Sequence, residues 1–257
     1  MAKRIFAQFK LGRFEYRNEG LISMISSSYA NQASNLFGNQ NLNTNMYFTL
    51  ENVTVDYNGI KAISNINLQI RKGEIVFVTG ASGAGKTTLL NVLAGNVSPT
   101  GGTIKIEDRI FTTQVFQDLR LIENMSLIDN LQFAFDPSVY RSRKEFESDL
   151  NELIKILGIK NRVNLKAKDA NGGLRQKVAI IRALLAKPDV FIADEPSSSL
   201  DFDNTKRLFD LLNIYNAKRG TTIIWASHNR ELVQRFTGRI IHLDNSRLIH
   251  SGHACFI

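Results

Sequence analysis

The chain has 257 residues, of which 43% are hydrophobic and 22% charged, a balance typical of soluble globular domains. Its apolar stretches stay well below the roughly 18 residues that a membrane-spanning helix requires, so we expect no transmembrane segment. The single cysteine, Cys255, excludes an internal disulfide framework and a multi-cysteine metal site. The formal net charge of +8 favours anionic neighbours such as nucleotides, nucleic acids or acidic lipid headgroups.

Residues 1–45 differ in composition from the rest of the chain. Positions 25–45 are rich in Ser, Asn and Gln and show no hydrophobic period, which predicts a polar, disordered extension. The basic and apolar start fits a membrane-surface anchor or targeting segment, a solvated basic tail, or a sequence upstream of a true beginning at Met46. We therefore predict an N-terminal extension over residues 1–45 and a folded domain over residues 46–257.

From Met46 onward, strand patterns alternate with helix patterns. The predicted elements are, in chain order, strands 46–57 and 62–70 around an Asn58-Gly59 turn, strand 74–79, helix 86–94, strands 104–106 and 110–116 around a turn, helices 143–157 and 174–186, strand 190–193, helix 205–216, strand 221–226, helix 230–236, and a closing hairpin of strands 240–243 and 247–249. This alternation predicts an α/β fold with a mostly parallel sheet.

A glycine-rich loop follows the buried strand 74–79 and opens the helix that starts at Lys86. It fits G-x-x-x-x-G-K-[ST], in the strand–loop–helix context that a phosphate-binding loop requires. Glycines let backbone N–H groups approach phosphate oxygens, Lys86 can reach the β- and γ-phosphates, and the Thr87 hydroxyl can ligate Mg²⁺. The predicted nucleotide-binding residues of this loop are Gly80, Ala81, Ser82, Gly83, Ala84, Gly85, Lys86, Thr87 and Thr88.

A second strand, residues 190–193, runs directly into Asp194 and Glu195. Two carboxylates at the end of a buried strand can divide the work of hydrolysis, because the first can hold Mg²⁺ while the second polarises a water molecule. The pair alone is a weak signal, but behind a phosphate-binding loop it predicts a catalytic site.

Five further segments give the chain a specific resemblance. They are Tyr57 before the glycine loop, Gln117 at the end of an apolar strand, Asn171-Gly172-Gly173 at the start of a helix, Ser198-Ser199-Leu200-Asp201, and Ser227-His228. In this order, over residues 47–250, they resemble the motifs of the ABC-type ATPases. The resemblance implies a P-loop NTPase fold with a mostly parallel core sheet, a small antiparallel β-subdomain and a helical signature subdomain, and it makes residues 46–257 an ATP-binding domain.

The resemblance also implies roles for these residues, with ATP and Mg²⁺ as cofactors. Tyr57 would stack on adenine, Gln117 and His228 would sense the γ-phosphate, and Gln117 would join Thr87 and Asp194 around the metal. Asn171, Gly172, Gly173 and Asp201 would complete the nucleotide site of a second copy in a head-to-tail homodimer. Each match keeps a structural alternative: packing on the sheet for Tyr57, a polar strand end for Gln117, an ordinary helix cap for Asp201, and a cap or core residue for His228.

Two features depart from the family pattern. The signature is usually L-S-G-G-Q or L-S-G-G-E, whereas this chain has Ala170-Asn171-Gly172-Gly173-Leu174. The Asn171 amide can still donate a hydrogen bond, but Leu174 lacks a polar group, so slow hydrolysis is expected. The short separation between Lys86 and Gln117 predicts a trimmed antiparallel β-subdomain.

Because no spanning segment is expected, the resemblance implies a separate integral membrane subunit, docked near residues 118–135. This segment carries an apolar stripe that fits either such docking or packing in the core: Leu121, Ile122, Met125, Leu127, Ile128 and Leu131. Residues 79–95, 115–131, 193–201 and 227–236 look most like the FtsE group of cell-division ATPases, whose partner is the membrane protein FtsX. This implies a peripheral location on the cytoplasmic face of the inner membrane. Lipoprotein-releasing (LolD) and MacB-type exporter ATPases are close alternatives. A soluble ABC ATPase acting on DNA or the ribosome is a third, although no nucleic-acid partner is expected.

Overall fold

The computed structural model describes residues 45–253, which form two β-sheets and six α-helices. The strands are β1 Met46–Tyr57, β2 Ile60–Arg71, β3 Ile75–Thr79, β4 Gly101–Ile106, β5 Thr112–Val115, β6 Val190–Asp194, β7 Thr222–Ser227, β8 Arg239–Asp244 and β9 Arg247–His253. The helices are α1 Lys86–Leu93, α2 Leu127–Gln132, α3 Arg143–Ile156, α4 Gly172–Leu185, α5 Phe202–Arg219 and α6 Arg230–Gln234. Across residues 45–253, none of the helices combines the length and hydropathy that crossing a membrane requires.

The larger sheet has the strand order β5-β6-β7-β3-β8-β9. All its strands are parallel except β9, which returns antiparallel to β8. The smaller sheet is antiparallel, in the order β2-β1-β4. The predicted α/β fold, with a parallel core and a small antiparallel sheet, is therefore confirmed.

The apolar side chains of the central strand β3 point alternately into two hydrophobic clusters, so the strand is buried on both faces. Phe77 packs on one side of β3 with Phe209 and Trp225, at ring-centroid distances of 5.8 and 6.0 Å. Its neighbours Val76 and Val78 belong to the opposite hydrophobic cluster, which includes residues of α1 and of the antiparallel sheet. Side chains that alternate between two cores produce a continuous apolar run, as expected for a parallel strand covered by helices on both faces.

Local capping fixes the boundaries of helix α3. The Ser142 side chain accepts a hydrogen bond from the N–H of Glu145, and Gly158, which follows the helix, has a φ of 67°. The left-handed conformation is the one in which glycine ends helices without steric cost. The Tyr140 hydroxyl, which precedes this helix, donates to the carbonyl oxygen of Leu185 at 2.6 Å and ties the region to α4.

One sequence prediction for the middle of the chain is wrong. The strands around residues 104 and 112 do not pair with each other across a turn, because β4 joins the antiparallel sheet and β5 joins the parallel one. Residues 118–135 contain the unpredicted helix α2, and the core-packing alternative holds for Leu121, Leu127 and Leu131 of their apolar stripe, which are buried. Ile122 and Phe133 are the large apolar side chains of this segment that remain exposed.

The predicted extension, residues 1–45, lies outside the described residues except for Asn45, and so does Cys255.

Candidate nucleotide-binding and catalytic site

The predicted site residues follow four neighbouring strands at one edge of the parallel sheet. The glycine loop follows β3, Asp194 ends β6 and Glu195 follows it, Ser227 ends β7 immediately before His228, and Gln117 comes two residues after β5. These strands lie side by side in the order β5-β6-β7-β3. Since parallel strands end at a common edge, the topology brings together motifs that are far apart in sequence.

The glycine loop is wrapped around the amine of its own lysine. Lys86 is buried, and its Nζ donates to the carbonyl oxygens of Gly80 and Ala81 at 2.9 and 3.0 Å. Gly85 has a φ of 99°, and a Cβ at that position would stand only 2.3 Å from the carbonyl oxygen of Ala62 on β2. A glycine is therefore required both for the turn and for close packing on β2. The result is a preformed loop with a buried positive charge at its centre, which suits a phosphate group.

Thr87 and Asp194 form the second part of the site. The Thr87 hydroxyl donates to Asp194 Oδ2 at 2.6 Å, and the Asp194 side chain is buried. A hydroxyl and a carboxylate oxygen are hard ligands of the kind that Mg²⁺ prefers. The donor chemistry and the spacing of this pair therefore fit the predicted metal site.

Glu195 faces both the lysine and the histidine. Its Oε1 lies 3.8 Å from Lys86 Nζ, and its Oε2 lies 2.9 Å from His228 Nδ1. The backbone at Glu195 has a φ of 51°, a conformation that costs energy in a residue with a Cβ and that occurs preferentially at functional sites. Its N–H donates to the carbonyl oxygen of Ala226, which anchors the turn to β7. The His228 side chain is 64% exposed, so it is not a core histidine.

Gln117 and Tyr57 lie at the periphery of this arrangement. Gln117 is exposed in the turn after β5, and Tyr57 is half exposed at the end of β1. Within residues 45–253, no hydrogen bond joins either side chain to the glycine loop. Their assigned contacts with nucleotide and metal stay predictions, and exposure makes both side chains accessible to a ligand.

The signature residues begin helix α4. Asn171 is the N-cap residue, and its Oδ1 accepts a hydrogen bond from the N–H of Leu174 at 2.9 Å. This interaction uses the amide oxygen of Asn171. Its amide NH₂ group is the hydrogen-bond donor that we expected from the sequence. Leu174 is only 5% exposed and belongs to the larger hydrophobic cluster. The apolar departure from the family pattern is therefore a packed core residue in this chain.

Ser199 is a contact that the sequence did not indicate. A Cβ on Gly172 would stand 3.0 Å from Ser199 Oγ, and a Cβ on Gly173 would stand 2.7 Å from the Ser199 carbonyl oxygen. The two signature glycines thus let the start of α4 pack closely on the segment that precedes α5. Sequence offers no signal for this contact, because glycine pairs at helix starts serve many purposes.

Asp201 caps helix α5. Its Oδ1 accepts a hydrogen bond from the N–H of Asn204 at 2.8 Å, and this backbone bond holds the pKa of Asp201 below its ordinary value. The alternative of a helix cap is therefore confirmed for this residue. A contact with nucleotide across a dimer interface stays a prediction.

Comparison with known proteins agrees with this geometry. Residues 63–198 match the model of the ABC transporter family. The chain is 32% identical over 227 residues to the methionine import ATP-binding protein MetN of Ligilactobacillus salivarius, a match that covers 79% of this chain and 64% of that protein. It is 31% identical over 220 residues to the cell division ATP-binding protein FtsE of Mycobacterium tuberculosis, covering 79% of this chain and 95% of that protein.

A solved structure supports the same assignment. The ATP-binding cassette MJ0796, in a dimeric post-hydrolysis state bound to ADP and Pi, aligns with a TM-score of 0.71 and 29% sequence identity. The alignment covers 82% of this chain and 100% of the cassette. The chain therefore belongs to the ABC transporter family.

Proposed function

We propose that the chain is the ATPase subunit of a membrane complex of the FtsE type, and that it works as a head-to-tail homodimer. The observation that carries the ATPase mechanism is the contact of Glu195 with both Lys86 and His228, beside the Thr87–Asp194 pair. The FtsE relative supports the finer assignment because nearly its whole length is matched, whereas 64% of the methionine import relative is matched.

We infer a division of labour among these residues during hydrolysis. The glycine loop and Lys86 bind the phosphates of ATP, and Thr87 and Asp194 hold Mg²⁺, which when bound offsets the negative charge of the phosphate oxygens. Glu195 accepts a proton from the attacking water as the water oxygen bonds to the γ-phosphorus and the bond to ADP breaks. His228 positions the Glu195 carboxylate, and Gln117 completes the ligands around the metal.

We infer a head-to-tail homodimer because the sequence carries one glycine loop and one signature segment. The signature residues Asn171, Gly172 and Gly173 are at the start of α4, and the glycines pack on Ser199 of their own chain. We infer that this surface faces the nucleotide held by the glycine loop of a second copy. The dimeric cassette MJ0796 supports this arrangement.

The membrane subunit would dock near residues 118–135, at the cytoplasmic face of the inner membrane. The buried part of this segment supports the fold, so the docking surface reduces to its exposed apolar side chains, Ile122 and Phe133, which are 47% and 63% exposed. Contiguous exposed apolar patches commonly mark interaction sites, and we infer that these two side chains contact the membrane subunit.

The substitution Glu195→Gln tests the catalytic assignment. It removes the proton acceptor but keeps the shape of the side chain, so ATPase turnover should fall by at least about 10²-fold, whereas ATP binding should persist. The matched control is Glu107→Gln, an exposed glutamate outside the site, which should leave turnover unchanged. Unaltered turnover in purified Glu195→Gln protein would remove Glu195 from the mechanism.

The same variant tests the partner assignment, because slow hydrolysis should hold the closed dimer on its membrane subunit. We would purify tagged full-length Glu195→Gln protein from detergent-solubilised membranes with ATP and identify the bound proteins by mass spectrometry. A FtsX-like membrane protein in near-equal amount is expected. A methionine permease, or a lipoprotein-releasing or MacB-type permease, would replace the FtsE assignment with an importer or exporter. Ribosomal or DNA-bound proteins without a membrane subunit would contradict the membrane role altogether.

A further inference from the structure

The turn that carries Gln117 has a strained backbone. It follows β5, and its residues Leu119 and Arg120 have φ values of 57° and 46°. Two successive residues with side chains in the left-handed region are unfavourable, because their Cβ atoms crowd the following carbonyl oxygens. Such a conformation persists only where surrounding contacts hold it in place.

Arg182 of α4 supplies these contacts. Its Nη1 donates to the carbonyl oxygen of Arg120 at 2.8 Å, and its Nη2 donates to the carbonyl oxygen of Leu119 at 3.0 Å. A rigid guanidinium fork matches two adjacent acceptors, which a single ammonium cannot do equally well. The two strained residues are therefore the same two residues whose carbonyl oxygens Arg182 binds.

A pocket that is partly open to solvent lies beside the turn. It has a volume of about 240 Å³ and is lined by Phe116 and Leu119 on the turn side and by Ala179 and Ala183 of α4. The small alanine side chains do not fill this space. Arg182, which also lines the pocket, spans it and connects the turn to the helix.

We propose that Arg182 is a positioning residue that places Gln117 at the metal site, by holding the two residues that follow it in the turn. This inference rests on the proposed role of Gln117 as a ligand of Mg²⁺. Residues that position a metal ligand without touching the metal commonly change metal affinity when they are replaced.

The test compares Arg182→Met, Arg182→Lys and a control, Arg175→Met, all in the Glu195→Gln background. Arg175 is on the same helix and forms an ion pair with Glu123, so its replacement loosens α4 from the same segment without touching the strained carbonyls. The measured quantity is the Mg²⁺ concentration at which ATP gives half of its maximal increase in thermal stability. This readout reports metal and nucleotide binding without requiring turnover.

Arg182→Met should raise this Mg²⁺ concentration about tenfold or more, with ATP binding in the absence of Mg²⁺ unchanged. Arg182→Lys, which keeps one donor and the charge, should give an intermediate shift, and Arg175→Met should give none. Hydrogen exchange of the peptide covering residues 116–121 should be faster in Arg182→Met than in the control. If Arg182→Met does not fold, the graded shift of Arg182→Lys carries the test.

Two results would overturn the proposal. One is faster exchange at residues 116–121 with an unchanged Mg²⁺ requirement, which would make Arg182 purely structural. The other is an equal shift in Arg175→Met, which would assign the effect to general loosening of α4. Gln117→Ala distinguishes failure of this proposal from failure of the proposed role of Gln117 as a ligand of Mg²⁺. An unchanged Mg²⁺ requirement in that variant would refute the role of Gln117 itself.

Discussion

Alanine substitutions of Gly172 and Gly173 test how closely the start of α4 packs on Ser199, because we expect the same substitution to have different effects on stability at the two positions. An added Cβ on Gly172 would approach the Ser199 hydroxyl to 3.0 Å, whereas one on Gly173 would approach the Ser199 carbonyl oxygen to 2.7 Å. A hydroxyl can rotate away from the new methyl group on residue 172, and the remaining contact with Ser199 Cβ at 3.3 Å requires a shift of only a few tenths of an ångström. A backbone carbonyl, by contrast, can move only with its chain. Gly173→Ala should therefore be destabilising, and Gly172→Ala should be close to neutral.

The magnitudes follow from packing. Overpacking that displaces a backbone typically costs about 1–3 kcal/mol in the free energy of unfolding, and we expect Gly173→Ala to fall in this range. Neither glycine has a positive φ, so alanine brings no backbone strain at either position. For Gly172→Ala the small steric cost is offset by better helix propensity, which is worth up to about 1 kcal/mol. Its net change should therefore lie within about 0.5 kcal/mol of zero.

Urea denaturation measures these changes, with Gly101→Ala as the control, since its Cβ would meet nothing closer than Thr54 Cβ at 3.9 Å. Steady-state ATPase measured on the same proteins adds a second readout. If the signature faces the nucleotide of a second copy, Gly172→Ala should lose about tenfold or more in turnover despite normal stability, because the methyl group intrudes at a phosphate-contacting backbone. Equal destabilisation by the two alanines would refute the role of Ser199, and full activity of Gly172→Ala would refute the trans contact.

Three further predictions concern single hydrogen bonds. Thr87→Val should reduce Mg²⁺-dependent ATPase by about 10²-fold, whereas Thr87→Ser should retain most of it, as steady-state assays can show. Tyr140→Phe leaves the buried Leu185 carbonyl oxygen unpaired, so urea denaturation should show a loss of about 1–3 kcal/mol. The hydrogen bond from the Asn204 N–H lowers the pKa of Asp201 below its ordinary 3.8. The stability that this hydrogen bond adds is present above the pKa of the unfolded state. It is lost as the pH falls through the lower pKa of the folded state. Unfolding at about pH 7 and about pH 3 should therefore show less acid destabilisation in Asp201→Asn than in the unsubstituted chain.

The site was predictable because its residues are attached to strand ends. The glycine loop, the Asp194-Glu195 pair and His228 each follow a buried apolar strand, and a short apolar run is readable without knowledge of its neighbours. Because the strands are parallel, their ends lie at the same edge of the sheet, however far apart they are in sequence. What the sequence could not supply is the strand order, in which β7 lies between β6 and β3 and thereby puts His228 within 2.9 Å of Glu195.

The sequence leaves alternatives open where a local pattern fits two tertiary contexts. The stripe in residues 118–135 fits both partner docking and core packing, and the structure buries Leu127 and Leu131 in the core. Both readings require apolar residues at helical spacing, so periodicity cannot separate them. The short helix α2 is capped by Ser126, whose side chain accepts a hydrogen bond from the N–H of Asp129. That cap was a local signal for the helix, whereas the burial of its apolar face depends on the helices packed against it.

For the same reason, the strained backbone of the turn at Leu119 and Arg120 could not be predicted from the sequence. Neither Leu119 nor Arg120 is a glycine or an asparagine, so the sequence does not indicate a left-handed backbone at these positions. Arg182, which binds their carbonyl oxygens, lies more than 60 residues away. Lys86, by contrast, bonds carbonyl oxygens of the loop that immediately precedes it. The glycine loop is therefore held by contacts within its own segment, whereas the turn that carries Gln117 is held by a residue of another helix. Under the proposed function, a nucleotide with Mg²⁺ that contacts both would combine a half site determined by local sequence with one whose geometry depends on the hydrogen bonds of Arg182.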